Sequence, residues 1–297
     1  MICYGNVGIS DDAFAMLFRH EVDVSWLSRR GDAFKGRLTR SNARTTKLRQ
    51  LQHRVLGSGN GRLWIAKHFV QRKIESQVSA ARHYQRHGKQ QANTYIQQAE
   101  KLLAETRHSK STMEVRGLEG ATSRTWFALF STLLAPPWKF AKRVRRPPTD
   151  PVNALLSLGY TWLSRRVIAR LEVVGLEVNL GGLHEYRAGR PSLACDIMEP
   201  LRVPVVDRWV VTLCNRKMVT SGDFERNKDQ TGVYLKRPKF SALLMAWEQR
   251  WADQNIDQLL TQTIQEFVSG LGEFRSTQKS RQGPPPTGPA ADLPGDV

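Results

Sequence analysis

One histidine and three carboxylates stand apart in a chain otherwise crowded with Lys and Arg. His184 lies in the glycine-rich stretch "LEVNLGGLHEYRAGRP" (176–191), and Asp196 and Glu199 follow in "ACDIMEP". On a helix, residues three apart share a face, so these two carboxylates would project together. Neither charge is cheap in so apolar a segment unless something positive compensates it. A divalent cation would do so; Arg202, three residues beyond Glu199, is the competing compensation as a plain ion-pair partner. A third carboxylate, Glu119 in "RGLEGAT", stands between glycines ahead of an apolar segment. Flanking glycines let a ligand or another backbone come close, though an ordinary loop carries the same pattern. Taken singly, each of these residues also fits a structural role, and spacing alone does not join them. The other six histidines (His20, His53, His68, His83, His87 and His108) sit in the front half, mostly among basic residues and without acidic partners.

As a set, one imidazole with two or three carboxylates leaves coordination positions open for water and a phosphate oxygen. That suits magnesium or manganese, of which manganese better tolerates nitrogen. Zinc is less favoured, because Cys195 adjoins Asp196 and on a helix points away from it. A metal held this way beside a basic surface is equipment for phosphodiester chemistry.

The basic surface is written into the composition. The 297 residues carry 45 Lys plus Arg against 27 Asp plus Glu, a formal charge of +18. Between Arg29 and Lys110 there are 19 basic and 4 acidic residues, so this stretch holds most of the excess. Such a balance points to nucleic acid first and an anionic membrane surface second. The expected arrangement is a DNA-gripping front, with Arg72 and Lys73 among its phosphate contacts, ahead of a near-neutral catalytic part. Solvated helix faces are the plainer reading of the same charges. No apolar run approaches the roughly 20 residues of a membrane-spanning helix. The start has no basic-then-apolar segment of a signal peptide. Cys3, Cys195 and Cys214 encode neither a disulfide framework nor a CxxC zinc site. A soluble, cytoplasmic protein is expected.

The elements that must position these residues follow from periodicity. Residues 1–40 read as short strands and turns, with a helix near 11–18 and a hairpin around Gly31 and Gly36. From Arg62 a helical period sets in through Leu63, Ala66, Phe69 or Val70, Ile74 and Val78. Further helices are expected over 90–106, after Gly120 with Ser123 as candidate cap, and from Pro151 behind Asp150 to Gly175. A buried segment from Ser192 to about Asn215, interrupted by Pro200 and Pro204, precedes helices near 239–252 and 254–270. The fold class is α+β: a small, mainly β front over 1–58 including a linker, and a large all-α catalytic domain over 59–275. Residues 276–297 have the Pro/Gly composition of a disordered tail.

At this point the sequence resembles the CRISPR-associated integrase–endonuclease of spacer acquisition, the Cas-one family. The matching pieces are "GLEGATSRTWFALF" (117–130), "DPVNALLSLGYTWL" (150–163), "GLEVNLGGLHEYRAGRPSLACDIMEPLRVPVVDRWV" (175–210) and "GVYLKRPKF" (232–240), in order and register. Weaker similarity runs from "YGNVGIS" through "LWIAKHFVQRKI", so all but the tail is covered. The resemblance implies metal ligation by Glu119, His184 and Glu199, with Asp196 a supporting acidic position and a magnesium or manganese ion as cofactor. It implies attack of a DNA 3′-hydroxyl on a phosphodiester at the repeat boundary of a CRISPR array, by a homodimer bridged by a small Cas-two family partner. Tyr160 matches a family tyrosine near the site, and helix packing accounts for it equally. Arg187 and Arg190 suit phosphate contact or an exposed loop alike. Family members carry several strands before the segment resembling "YGNVGIS", whereas Met1 opens almost directly on it. The front domain is therefore expected to be short of strands and to expose a sheet edge. A branched-DNA nuclease outside adaptation and a non-catalytic basic DNA-binding protein are the alternative functions.

Overall fold

The computed structural model describes residues 1–20, 22–29, 34–38, 45–227 and 231–282. The front is a small sheet with one helix. Strand β1 (Ile2–Tyr4) is followed by helix α1 (Asp11–Arg19), whose cap Ser10 accepts from the Ala13 amide, and then by β2 (Val24–Leu27) and β3 (Phe34–Leu38). The helix is the crossover that lets β1 lie parallel to β2, pairing Ile2 with Ser25. Strand β3 runs antiparallel on the other side of β2, as the expected hairpin requires; the turn containing Gly31 falls outside the described residues.

Helix α2 (Thr46–Leu56) forms where the sequence suggested a linker. Its few apolar residues hid it, yet Val55 and Leu56 are buried, and the buried Gln52 amide ties the helix to the distant 177–180 loop. Helix α3 (Gly59–Arg86) opens on Ser58, which accepts from the Gly61 amide, and buries Ile65, Phe69, Val70, Ile74 and Val78 as its period predicts. Helices α4 (Gln91–His108) and α5 (Thr112–Leu133) pack on it.

The start of α5 differs from expectation. Ser111, not Ser123, caps it by accepting from the Glu114 amide, so Gly117, Glu119 and Gly120 are all inside the helix. Two helical glycines cost about 1 kcal/mol each relative to alanine. Full burial of Trp126 and Phe130 outweighs this, at about 1.5–3 kcal/mol per large side chain.

Helix α6 (Pro151–Val174) has the expected boundaries: Asp150 caps it, Pro151 opens it and Gly175 closes it in the left-handed region at φ 85°. After the 176–191 connection comes α7 (Ser192–Leu201), a π-helical turn over Arg202–Asp207, and α8 (Arg208–Asn215). The two prolines thus widen the helical path rather than interrupting it. Arg250 braces the π turn, donating to Pro204 O at 3.0 Å and Val205 O at 2.7 Å. Gly159 lets α6 close on this turn, since a Cβ there would stand 2.6 Å from Val206 Cγ1.

A short hairpin, β4 (Phe224–Arg226) with β5 (Val233–Leu235), was not expected from the sequence. Helix α9 (Arg237–Asp253) adds Trp247 and Trp251 to an aromatic cluster with Trp162 and Trp209. Helix α10 (Ile256–Gln282) continues past the boundary expected at 276, with Ser276 and Thr277 bonding back to Glu273 O; residues 283–297 lie outside the described residues. No described helix is long and apolar enough to cross a membrane.

Candidate functional site

The site is built where α3, α5, α7 and the 176–191 connection meet. Asp196, on α7, is fully buried and gathers four donors. Its Oδ2 accepts from the amides of Gly182 at 2.7 Å and Leu183 at 3.0 Å, and its Oδ1 from the amide and the ring Nδ1 of His184 at 3.0 and 2.6 Å. The chain can wrap the carboxylate this closely because residue 181 is glycine; a Cβ there would meet Asp196 Oδ2 at 2.7 Å. Burial raises the Asp196 pKa, opposed by the bonds from His184 and the backbone. A carboxylate acceptor fixes Nδ1 as the donor of His184, which leaves Nε2 with its lone pair as a base or metal ligand.

Glu199 lies one turn along α7 from Asp196 and is equally enclosed, at 3% exposure. Its two oxygens are divided between two cations: Oε1 accepts from Arg202 at 3.1 Å and Oε2 from Lys73 Nζ at 2.7 Å. Burial opposes ionisation of Glu199, but Arg202, then Lys73, outweigh it and hold the carboxyl well below the usual range. The same Lys73 ammonium donates to Glu119 Oε1 on α5 and to Ser123 Oγ at 2.8 Å. Ser123 in turn donates to Glu119 Oε1 at 2.9 Å. One buried cation therefore joins the two carboxylates that the sequence placed in the site.

Behind Glu199 stands a second network. Asp207, at the end of the π turn, accepts from Tyr160 Oη at 2.5 Å and from Trp126 Nε1 at 2.7 Å. Burial raises its pKa to about 6, against the pull of Tyr160, Trp126, Arg202 and Lys73. The guanidinium of Arg202 lies 4.8 Å over the Tyr160 ring and that of Arg143 5.4 Å from it, so two cations rest against the tyrosine. Tyr160 is thus linked to the site through Arg202. Arg187 is exposed on the loop past His184, whereas Arg190 is half-buried against Cys195.

The structure brings Glu119 and Glu199 together on Lys73 and ties His184 to Asp196, one turn of α7 from Glu199. Among the described residues, no three His, Cys, Asp or Glu side chains are gathered as a complete ligand set. The donor chemistry nevertheless fits a divalent ion. Two carboxylates from separate helices converge on one ammonium, with Arg202 on the other oxygen of Glu199, and the His184 imidazole is oriented by a buried carboxylate with its other nitrogen free.

Lys73 corrects the expectation that it grips DNA. It is 3% exposed, and it falls on the buried stripe Ala66–Val70–Lys73–Gln77–Ala81 of α3. That register was the available signal: a charged residue on the apolar face of a helix needs a partner of opposite sign. Arg72 is exposed but paired with Glu75 and Glu266. Asp207 left a fainter trace, a lone acid in the apolar run "VPVVDRWVV".

The family model described as CRISPR associated protein Cas1 matches residues 1–249. The chain belongs to that family. It is 34% identical over 257 residues to a CRISPR-associated endonuclease Cas1 of Thermodesulfovibrio yellowstonii, covering 84% of this chain and 80% of that one. A Cas1 endonuclease of Thermus thermophilus is 33% identical over 251 residues, covering 84% of this chain and 72% of that protein. Among solved structures, a partial Cas6-RT-Cas1–Cas2 complex superposes with a TM-score of 0.77 at 27% identity, over 93% of this chain and 85% of that one. A Cas1 protein from Thermotoga maritima shares the fold, with a TM-score of 0.73 at 22% identity over 91% of this chain and 84% of its own. The small β front and large helical body are thus the architecture of Cas1.

Proposed function

We propose that the chain is a metal-dependent DNA endonuclease and integrase that joins new spacer DNA into a CRISPR array. The observation that carries this is the pair Glu119 and Glu199, drawn from separate helices onto one buried cation beside a histidine that Asp196 holds in a single tautomer. Membership of the Cas1 family, and relatives named as endonucleases, support the same reading. Glu119, Glu199 and His184 Nε2 are the groups that would hold magnesium or manganese. When bound, such an ion supplies Lewis acidity toward a phosphate oxygen and lowers the pKa of a hydroxyl.

The chain's own residues do the rest. Asp196 keeps the His184 ring fixed and spares it any reorganisation. Arg202 keeps Glu199 ionised, and Tyr160 and Asp207 keep Arg202 in place. In the joining step a DNA 3′-hydroxyl oxygen forms a new bond to phosphorus and loses its proton. The bond to the outgoing 3′-oxygen breaks and that oxygen takes up a proton, so one phosphodiester and one hydroxyl are exchanged for another pair without net oxidation or hydrolysis. Exposed Arg54 near the end of α2, Arg62 near the start of α3 and Arg187 past His184 would meet phosphates. The working partners are DNA, a second copy of the chain and a small Cas2-type protein; a Cas2 chain is present in the complex that resembles this one.

The test is His184→Ala assayed in manganese on a supercoiled plasmid carrying a repeat array. Cleavage and strand joining are expected to fall by orders of magnitude while DNA binding is kept. Undiminished joining in that variant rejects the assignment.

A further inference from the structure

We propose that Lys73 is a displaceable internal cation that gates metal loading: its ammonium holds the metal's place between Glu119 and Glu199 and must leave for a divalent ion to enter. This deepens the function proposed above and rests on it.

Three features point to a gate. The first is atomic overlap. Lys73 Nζ takes one oxygen of each carboxylate, Glu119 Oε1 and Glu199 Oε2, and so stands where an ion held by both side chains would have to sit. The second is charge. Glu199 is buried and Glu119 half-buried, and two carboxylates brought this close need a cation between them; the Lys73 ammonium supplies it. The third is the contrast with Arg202. That guanidinium is stacked on Tyr160 at 4.8 Å and takes only Glu199 Oε1, so it can remain when a metal arrives. Lys73 is a compact charge on a flexible four-carbon stem, and beyond the two carboxylates it is held by the neutral Ser123 Oγ. It is the cation built to move.

The consequence is competition. Metal affinity is lowered by whatever it costs to dislodge the ammonium. Once dislodged, the same charge is available to a phosphate oxygen at the site, so DNA and metal favour each other's binding.

Manganese titrated into the protein by calorimetry, without DNA, tests this in the parent, Lys73→Met, Lys73→Gln and Glu119→Gln. The expected result is affinity about tenfold or more tighter in both Lys73 variants, from loss of a like charge next to the ion, and loss of binding in Glu119→Gln. A second measurement needs no variant. An amine-acylating reagent followed by mass spectrometry should leave Lys73 unlabelled in the metal-free parent and label it when manganese saturates the site. Unchanged or weaker affinity in the Lys73 variants while the parent binds, or Lys73 unlabelled at saturation, overturns the gate and leaves the metal-dependent function standing. Failure of every form to bind manganese overturns both.

Discussion

Removing Asp196 should cost far more stability than removing His184, although the two touch. Asp196→Ala strands three backbone amides, those of Gly182, Leu183 and His184, in a place where Gly182 and Leu183 are buried. A buried donor left without an acceptor costs about 1–3 kcal/mol. The three together, less the burial cost of the carboxylate that is no longer incurred, come to about 3–5 kcal/mol. For a chain of this size that is a fall of about 6–15 °C in Tm. His184→Ala removes one donor of four and leaves the amides satisfied, so about 1 kcal/mol is expected. Asp196→Asn should fall between, because the amide keeps a carbonyl oxygen but turns an NH2 toward one pair of donors. Differential scanning calorimetry of the three variants without metal measures the order directly. An Asp196→Ala shift no larger than that of His184→Ala would refute the view that Asp196 organises the 181–184 turn, and would mean that water can take its place.

Two further outcomes follow from the charges. Asp207 is raised from 3.8 to about 6 by burial, so the folded protein binds its proton more tightly than the unfolded chain does. Its contribution is fully present below about pH 4 and is lost as pH rises through 6; chemical denaturation of the parent against Asp207→Asn should show a relative loss of about 3 kcal/mol across that window. Glu199 acts oppositely, since its lowered pKa gives stability above about pH 4.5 that disappears on acidification, and parent and variant share that loss. For DNA, measured without divalent metal, the double substitution Arg54→Ala, Arg62→Ala should reduce the slope of log K against log salt by about 0.9 for each phosphate that is no longer neutralised, whereas Lys73→Gln should leave it unchanged because the Lys73 ammonium is then held by Glu119 and Glu199. A slope unchanged in the double variant assigns Arg54 and Arg62 to an ordinary solvated face.

Much of the frame was legible because it depends on local chemistry. Asp150, Pro151 and Gly175 bound α6 through capping, a preset φ and a left-handed residue, each of which acts within a few residues. The stripe from Ile65 to Val78 made α3 visible for a similar reason: burial repeats with the helical period. Where the signal was non-local it failed. The glycines around Glu119 read as a loop because their local preference is real, and only the packing of α5 against α3 and α4 overrides it. Helix α2 escaped notice because its main tie, Gln52 to the 177–180 loop, spans more than a hundred residues of sequence.

The candidate site divides in the same way. Residue types and the three-residue spacing of Asp196 and Glu199 made a carboxylate–histidine centre legible, since helical geometry alone puts those two on one face. Sequence could not show which cation compensates Glu199, and offered a metal or Arg202. The tertiary structure supplies Arg202 on one oxygen and Lys73 on the other. It also divides the acids by role, giving Asp196 to the backbone and His184, Asp207 to Tyr160 and Trp126, and Glu119 with Glu199 to Lys73. Charge counting placed Lys73 on a DNA-binding surface because a sum of charges carries no direction. Burial decided otherwise: on an enclosed helix face an ammonium requires carboxylates within hydrogen-bond reach, and only the packing of α3 against α5 and α7 brings them there.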